Sequence, residues 1–314
     1  MKKIKSFCIR AKNFWSPKKL KKRLKQGGFI FPTVAYLGLW LWVAIMMFLL
    51  LWAFVSSLKT NYDFIYNPTK LPQLGWRWIN YKYALENIPV QLTINGQQVK
   101  IGVIQLLLNS LLLGIGNPIV GLIDVSVCSY IAARYKRFKV SKVIFAIVIW
   151  MGFVPIGVSL ATEFRLLKAL GLYNQIWGMW VWSSGGFGGF FLIYYATWKT
   201  LSWEYAEAAF IDGAGHFQVF VRIMLPMTMA TFGALFITSF VGSWTDYMYV
   251  IKYLPSHPTL AYAAWQFQFS VGTITSVVPV KLAGMFVLTF PVLILFIFVH
   301  KKLLGAITVG GLKG

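Results

Sequence analysis

Long apolar runs recur along the chain, separated by shorter polar segments. A helix needs about 20 apolar residues to cross a bilayer, at a rise of ~1.5 Å per residue. Six runs of 18 to 23 residues therefore predict six transmembrane helices: Val34–Val55, Val103–Ile123, Val143–Ala161, Ile176–Trp198, Met227–Thr245 and Leu282–Val299. Because six is an even number, both termini are expected on the same side of the membrane.

The first apolar run follows a basic stretch, as the core of a secretory signal does. A signal core has about 7–15 apolar residues and ends at small residues. This run has 22 residues and is followed by Ser56-Ser57-Leu58-Lys59. We therefore expect it to be retained as a membrane helix.

The composition agrees with a membrane protein. Of 314 residues, 58% are hydrophobic and 12% are charged, whereas a soluble domain carries about 25% charged residues. This excludes a soluble enzyme, a disordered chain and a disulfide scaffold. The two cysteines, Cys8 and Cys128, lie far apart in unlike surroundings, so neither a disulfide framework nor a CxxC metal site is indicated.

The positive charge predicts the orientation in the membrane. Thirty Lys and Arg face eight Asp and Glu, giving a net charge of +22. With the N-terminus inside, the inner segments hold 21 of those 30 cations; they are 1–33, 124–142, 199–226 and 300–314. Since cytoplasmic segments carry the excess of Lys and Arg, we expect both termini in the cytoplasm. The basic N-terminal segment is expected against anionic headgroups rather than nucleic acid.

The predicted outer loop, residues 57–102, has a folded character. Its last part carries an Asn95-Gly96 pair, which is the favoured two-residue turn of a β-hairpin because both residues tolerate positive φ. A hairpin is therefore predicted between Gln91 and Lys100. The loop is either a folded segment without a binding role or a docking surface for an outer partner, and the sequence leaves both possibilities open.

The inner segment 199–226 is not simply basic. It holds three of the eight acids, namely Glu204, Glu207 and Asp212. Ser202 suits a helix N-cap, and Glu204 suits the first turn. Alanines follow at 206, 208 and 209, so we predict a short helix over about 203–211 with a shallow alanine surface edged by Glu207 and Asp212. Such a surface suits a partner's groove, and a plain connecting loop is the alternative.

Glycine and proline delimit the rest of this segment. Gly213 and Gly215 are expected to end the first helix with left-handed backbone. A second helix is then predicted with an apolar face at i, i+3, i+4 and i+7, formed by Phe217, Phe220, Val221 and Met224. Pro226 cannot donate a backbone hydrogen bond and is expected at the entry to the fifth membrane helix.

The same segment carries a gapped motif. Glu207-Ala208-Ala209, Gly213 and Ile223-x-Leu225-Pro226 resemble the EAA loop of bacterial ABC importer permeases, with three and nine residues in the two gaps. Other short motifs resemble the maltose-type, carbohydrate-uptake branch: Asn109-Ser110, Tyr130-x-x-Ala133-Arg134, Leu170-Gly171-Leu172, Gly242-Ser243-Trp244 and Gly310–Gly314. The chain departs from that branch at Thr245-Asp246, where Asn-Glu is usual, and at Leu201-Ser202, which replaces a proline.

The resemblance implies an all-α integral membrane protein with six transmembrane helices and a type I ABC importer permease-like fold in the bacterial cytoplasmic membrane. It also implies a short cytoplasmic coupling helix and a folded outer loop. The chain then divides into a basic cytoplasmic segment 1–33, a first membrane helix 34–56, the outer loop 57–102, a permease core 103–300 containing the coupling loop 199–226, and a cytoplasmic tail 301–314.

The resemblance further implies half of the pathway of an ATP-driven, binding-protein-dependent importer of a carbohydrate of oligosaccharide size. The partners are a second homologous permease, two ATPase subunits that bind ATP and magnesium, and an extracytoplasmic solute-binding protein. This chain is expected to have no catalytic residue, no metal and no cofactor of its own. The residues expected to couple to the ATPase are Glu207, Ala208, Ala209, Asp212, Gly213, Ile223, Leu225 and Pro226.

A candidate substrate pathway lies after the fifth apolar run. Asp246, with Trp244 and Tyr247, offers the aromatic faces and the carboxylate that a sugar site uses, and ionisable residues at such depths are often functional. The alternative is an acid at the outer interface beside the aromatic belt.

Rival functions stay open at this point. A non-sugar solute fits the same family, and a secondary transporter would be ion-coupled, often with internal repeats that this sequence does not display. A membrane enzyme would need a cluster of acids or histidines, whereas the eight acids are scattered. A structural membrane scaffold would show no response to ATP.

Overall fold

The computed structural model describes residues 30–94, 96–135, 138–153, 160–184, 189–270, 272, 276–291 and 293–294. Within these ranges the chain is mostly helical, with one β-hairpin. Contacts divide it into two compact units, Met1–Arg77 and Trp78–Gly314.

The first unit contains α1, Ile30–Ser57, and the short α2, Asn61–Tyr66. The first predicted membrane helix is confirmed. α1 contains an apolar stretch of 25 residues, Thr33–Ser57, with a mean hydropathy of 2.4 over its most apolar 18 residues, none of which is buried. α2 was not predicted. Thr60 caps it, accepting a hydrogen bond from the backbone N–H of Asp63 at 3.0 Å.

The second unit begins with α3 and the predicted hairpin and continues through twelve further helices and one π-helix. In chain order these are α3 Ile79–Asn87, β1 Val90–Ile94, β2 Gln97–Ile101, α4 Val103–Arg134, α5 Lys139–Phe153, α6 Leu160–Ala169, α7 Ile176–Ser183, α8 Phe191–Thr200, α9 Glu204–Ile211, α10 His216–Val219, the π-helix Phe220–Met224, α11 Leu225–Met227, α12 Met229–Thr245, α13 Tyr247–Tyr253, α14 Leu260–Gln268 and α15 Val278–Pro291. The central helix is α4, which packs against α7, α8 and α12.

The hairpin prediction is confirmed. β1 and β2 pair antiparallel, with Val90 opposite Ile101 and Ile94 opposite Gln97. Gly96 has φ +79°, as the turn requires, and Asn95 lies outside the described residues.

Two described helices are long and apolar enough to cross a membrane, namely α1 and α4. A third is obtained if the segment His216–Met227 and α12 are taken together across a bend of 72°. The predicted end of the second membrane helix at Ile123 was wrong, because α4 continues to Arg134. Asp124 interrupts the apolar run but not the helix, whose inward face goes on with buried Ser126, Ser129 and Tyr130.

The fourth predicted membrane helix is interrupted at Ser184, after α7, and the third overlaps α5 and α6. α5 ends at Phe153 and α6 begins at Leu160, while α7 ends at Ser183 and α8 begins at Phe191. Residues 154–159 and 185–188 between them lie outside the described part. Of the sixth predicted helix, α15 covers the first half. The basic segment 1–29 and the tail 301–314 are also outside the described residues.

A buried cluster around Trp198 holds α4, α8 and the 199–226 segment together. Trp198 is 0% exposed, and its indole N–H lies within hydrogen-bond distance of the Ser126 carbonyl oxygen at 3.2 Å and the Ser129 hydroxyl at 3.1 Å. Tyr130 packs on the same indole in an edge-on arrangement. The Trp198 cluster therefore fixes the inner part of α4 to the segment that follows α8.

A candidate coupling segment and a cavity beside the central helix

The first helix of the 199–226 segment is confirmed close to its predicted place, as α9. Trp203 is the N-cap, one residue later than predicted, while the Ser202 hydroxyl still accepts the Glu204 N–H at 3.2 Å. The helix ends at Gly213, which has φ +84°. The N–H of Ala214 donates to the Ala209 carbonyl at 2.9 Å and that of Gly213 to the Phe210 carbonyl at 3.1 Å. This is a Schellman ending, which requires left-handed backbone.

The alanines of α9 do not form one exposed surface, so that prediction was wrong. Ala206 and Ala209 are 0% and 8% exposed and belong to the Trp198 cluster. Ala208, in contrast, is exposed, as are Glu207 and Asp212. The small side chains of 206 and 209 let α9 approach this chain's own helices closely. The outward face of α9 is therefore mixed, with Ala208 flanked by carboxylates.

The predicted apolar face of the second helix was also wrong. Phe217 is 78% exposed and Val221 is 39% exposed, whereas Val219 and Met224 are buried. The pattern fails because Phe220–Met224 is a π-helix, which changes the spacing from one buried residue to the next. Gly215 has φ −74° and is the N-cap of α10, so it does not supply left-handed backbone as predicted.

Two large apolar side chains are thus left exposed on this segment. Ile211, the last residue of α9, is 86% exposed, and Phe217 on α10 is 78% exposed. Tyr205 on α9 is 55% exposed. Exposed apolar side chains beside carboxylates are typical of surfaces that meet a partner.

The end of the motif leads into the bend before α12. Ile223 and Leu225 are half-buried against the Trp198 cluster, while Pro226 is exposed near the start of α11. α12 therefore begins at Met229, after Thr228 and the 72° bend, two residues after Met227, the predicted start of the fifth membrane helix.

A group of side chains fastens the 199–226 segment to the end of α4. Arg134 donates from Nη2 to the Leu201 carbonyl oxygen at 2.5 Å. Its guanidinium carbon also lies 5.2 Å from the centre of the Trp203 ring, within cation–π range. The Tyr135 hydroxyl lies 2.8 Å from Nδ1 of His216. We call Arg134, Tyr135, Trp203 and His216 the α4 clamp.

Sequence reasoning missed the α4 clamp. Arg134 was noted only as part of a short motif, and the histidines were set aside because they form no cluster. The only available signal was the placement of an arginine and a tyrosine at the end of an apolar run. Their partners lie 67 and 81 positions further along the chain.

A cavity of about 460 Å³ lies along the middle of α4, between Leu113 and Val125. α4, α7 and α12 supply its walls, with Asp246 and Tyr249 at the start of α13. The polar and aromatic lining residues are Asn117, Trp182, Ser183, Phe190, Ser239, Ser243, Asp246, Tyr249 and Thr259. Its volume and mixed lining are those of small-molecule sites.

Asp246 and Tyr249 present opposite hydrogen-bonding capacities to this cavity. Asp246 is exposed, and its Oδ1 accepts the Tyr249 N–H at 2.9 Å, which caps α13. Tyrosine is an ordinary hydrogen-bond donor at pH 7, and burial, reinforced by the neighbouring Tyr253 and carboxylates, raises the pKa of the Tyr249 phenol further. The cavity therefore offers both a carboxylate acceptor and a phenol donor.

The three residues expected in one substrate site are divided between two cavities. Trp244 is 5% exposed and packs in the core, and Tyr247 stacks on Trp265 with ring centres 5.7 Å apart. Both line a second cavity of about 450 Å³, whereas Asp246 lines the first. Thr245 ends α12 and the chain turns there, so Asp246 lies in a different cavity from Trp244 and Tyr247, and the single substrate site stays a prediction. Among the described residues, no three His, Cys, Asp or Glu side chains come together as metal ligands do.

Comparison with known proteins identifies relatives over most of the chain. Residues 126–302 match the family model of the binding-protein-dependent transport system inner membrane component. The diacetylchitobiose uptake system permease protein NgcG of Streptomyces coelicolor is 26% identical over 291 residues, covering 89% of this chain and 88% of that protein. The arabinooligosaccharides transport system permease protein AraQ of Bacillus subtilis is 29% identical over 213 residues, covering 66% and 72%.

A solved structure shares the fold. One chain of a bacterial ABC transporter involved in the import of the acidic polysaccharide alginate superposes with a TM-score of 0.69 at 16% sequence identity. The match covers 87% of this chain and 96% of that chain.

The family match extends over more than half of the 314 residues. Members of this family are membrane-spanning permeases of ABC transport systems, which work with an ATPase and a binding protein, and the chain is accordingly a transport subunit rather than an enzyme. The chain belongs to the family of binding-protein-dependent transport system inner membrane components.

Proposed function

We propose that this chain forms half of the translocation pathway of an ATP-driven carbohydrate importer and receives the ATPase's movement through the 199–226 segment. The observation that carries the proposal is the α4 clamp. It fastens the segment with the exposed Ala208, Ile211 and Phe217 to the helix that lines the first cavity.

The coupling residues take two roles in this proposal. Glu207, Ala208 and Asp212, with exposed Ile211 and Phe217, form the face that meets the ATPase. The remaining residues of the motif position that face: Ala209 and Ile223 pack inward, Gly213 makes the turn, and Leu225 and Pro226 lead into α12. Through such a segment, a partner bound at a distant site can shift a packed element between two positions.

The proposed topology has six membrane helices with both termini in the cytoplasm of a bacterial cell. The 21 of 30 Lys and Arg in the inner segments support this orientation, and the family supports the cytoplasmic membrane. The boundaries proposed from the sequence, with an outer loop over 57–102 and a core over 103–300, are kept. Within them, α5 and α6 are assigned to one crossing, and α7 and α8 to the next.

The proposed substrate is a carbohydrate of oligosaccharide size. Two relatives are named for diacetylchitobiose and for arabinooligosaccharides, and the first cavity has the chemistry to hold sugar hydroxyls. Asp246 and Asn117 supply acceptors there, Ser239 and Ser243 supply hydroxyls, and Trp182 supplies an aromatic face. Trp244 and Tyr247 act beside this pathway, in the second cavity.

The proposed complex has a second, homologous permease, two ATPase subunits and an extracytoplasmic solute-binding protein. ATP and magnesium bind to the ATPase subunits, and this chain needs no cofactor. The second permease follows from the resemblance to ABC importer permeases, which implies that one chain forms half of the pathway.

Purification followed by transport tests this proposal. A tagged chain is extracted from native membranes, and its associated proteins are identified and reconstituted. We expect an ATPase, a second permease and a binding protein, and uptake of an oligosaccharide that requires ATP and persists when ionophores collapse the ion gradients. Uptake that stops with the gradients and ignores ATP would identify a secondary transporter instead.

A further inference from the structure

The short helix α2 has its polar and apolar faces reversed relative to a helix in water. Asp63 is 1% exposed, whereas Tyr62, Ile65 and Tyr66 are 61%, 60% and 67% exposed. These three side chains lie at i, i+3 and i+4, on one face of the helix. Large apolar groups are thus turned outward while the carboxylate is turned inward.

The buried side chains of Asp63 and Lys59 have hydrogen-bond partners within this unit. The Asp63 carboxylate accepts the backbone N–H of Gln73 at 2.7 Å and the side-chain amide of Asn67 at 3.3 Å. The ammonium of Lys59, a side chain that is 1% exposed, donates to the carbonyl oxygens of Asn67 and Pro68 at 2.8 and 3.0 Å. The outward apolar face is therefore part of a well-bonded structure.

This face is held next to the end of a membrane helix. Three residues separate α1 from α2, and at ~3.3–3.6 Å per residue they reach about 10 Å at most. The indole N–H of Trp52, in the last turns of α1, donates to the Pro68 carbonyl at 2.8 Å. Both ends of α2 are therefore tied to the level at which α1 leaves the bilayer.

The charge of the surrounding surface indicates that lipid covers the apolar face of α2. Between 58 and 77 the acid is Asp63, which is buried, and the exposed charges are the cations Lys70 and Arg77. Exposed Leu71, Leu74 and Trp76 extend the apolar area. Tyrosine, tryptophan and cationic side chains together suit the interface between acyl chains and lipid phosphates.

We propose that Tyr62, Ile65 and Tyr66 form an interfacial anchor that inserts into the lipid leaflet at the Ser57 end of α1, with Lys70 and Arg77 on lipid phosphates. The anchor fixes the depth of α1 and keeps the start of the outer loop on the membrane surface. It goes beyond the transport function and does not depend on which solute is carried.

Site-specific fluorescence tests the anchor. Cys8 and Cys128 are replaced by serine, and an environment-sensitive fluorophore is attached to Ile65→Cys in the full chain, in nanodiscs of phosphatidylethanolamine and phosphatidylglycerol. Gln98→Cys, on the exposed face of β2, is the control in water. Ala44→Cys, in the middle of α1, is the control for insertion of α1 itself. Quenching by spin-labelled lipid and by iodide is measured at each position.

We expect the probe at 65 to be quenched by spin-labelled lipid and to be at least severalfold less accessible to iodide than the probe at 98. Leu71→Cys should behave like Ile65→Cys. Equal iodide accessibility at 65 and 98, with quenching by lipid at 44 alone, would overturn the anchor while leaving α1 inserted. Protection at 65 that appears only when a solute-binding protein is added would overturn it in favour of a protein-docking surface.

Discussion

Arg134 joins the end of α4 directly to the 199–226 segment. Its guanidinium donates to the Leu201 carbonyl and lies over the Trp203 ring. A planar, permanently charged group can make both contacts at once, whereas a lysine ammonium cannot reproduce them together. The coupling of the 199–226 segment to α4 therefore depends on this one side chain more than on any residue of the motif.

We predict that Arg134→Gln uncouples the transporter. The variant loses a charged hydrogen bond, which contributes roughly 1.5–3 kcal/mol, so ATP-driven uptake should fall about tenfold or more while the complex still assembles. Arg222→Gln is the matched control, because Arg222 is exposed on the same segment; its effect should stay within about twofold. Equal uptake by the two variants in proteoliposomes would contradict the role of the α4 clamp.

Gly213 is predicted to act through its backbone alone. A Cβ atom at this position meets no heavy atom within 4 Å, but φ is +84°. Gly213→Val should therefore lose about 1–2 kcal/mol from the left-handed backbone and reduce coupled uptake severalfold. Gly213→Asn should transport nearly normally, since asparagine tolerates this region. Thermal unfolding and uptake are measured together, and an asparagine variant as impaired as the valine variant would refute this explanation.

Asp246 is predicted to serve the substrate as well as the helix cap. Asparagine caps a helix as well as aspartate does, so Asp246→Asn should keep the unfolding temperature of the native chain. Uptake at saturating binding protein should nevertheless fall about tenfold, because a charge-assisted hydrogen bond to the solute is lost. Unchanged uptake together with an unchanged unfolding temperature would show that Asp246 only caps α13.

At the scale of elements, α4 organises the second unit because small residues let its neighbours approach. The Trp180 indole N–H donates to the Leu112 carbonyl at 3.0 Å, and the Ser183 hydroxyl to the Asn117 carbonyl at 3.2 Å. α7 is thereby hydrogen-bonded along α4, beside the first cavity. A movement of α4 is therefore transmitted to α7 and to the lining of the cavity.

We predict that Gly178→Ala disturbs the packing of α7 against Leu172, in the turn that precedes this helix. The added Cβ would lie 2.4 Å from the Leu172 carbonyl oxygen, and overpacking of this kind costs about 1–3 kcal/mol. Gly242→Ala in α12 meets no atom within 4 Å and should be neutral or stabilising, since alanine favours helix. Thermal unfolding in detergent compares the two, and an unfolding temperature lowered equally in both would contradict the packing argument.

Local signals predicted the elements that depend on local chemistry. The Asn95-Gly96 pair predicted the hairpin, and the alanines followed by Gly213 predicted α9. Features set by distant contacts were missed. The π-helix after Val219 changed which side chains are buried, and the turn after Thr245 separated Asp246 from Trp244. Neither the 3.6-residue period nor the apolar run lengths contain this information.

At the scale of the whole molecule, the second unit has an exposed segment at the C-terminal end of α4 and a cavity of mixed lining along the middle of that helix. α4 is a continuous helix of 32 residues, so it can move as one body. Permeases of this family work with an ATPase and a binding protein. The proposed function then requires contact between the exposed segment and the ATPase.

Cross-linking in native membranes tests that contact most directly. Ala208→Cys and Ala206→Cys are introduced on the same turn of α9, with Cys8 and Cys128 replaced by serine. Ala208 is exposed and Ala206 is 0% exposed. The account predicts that cysteine at 208 forms a cross-linked product with an ATP-binding subunit and that cysteine at 206 does not. No product at 208, or equal yields at 208 and 206, would contradict it.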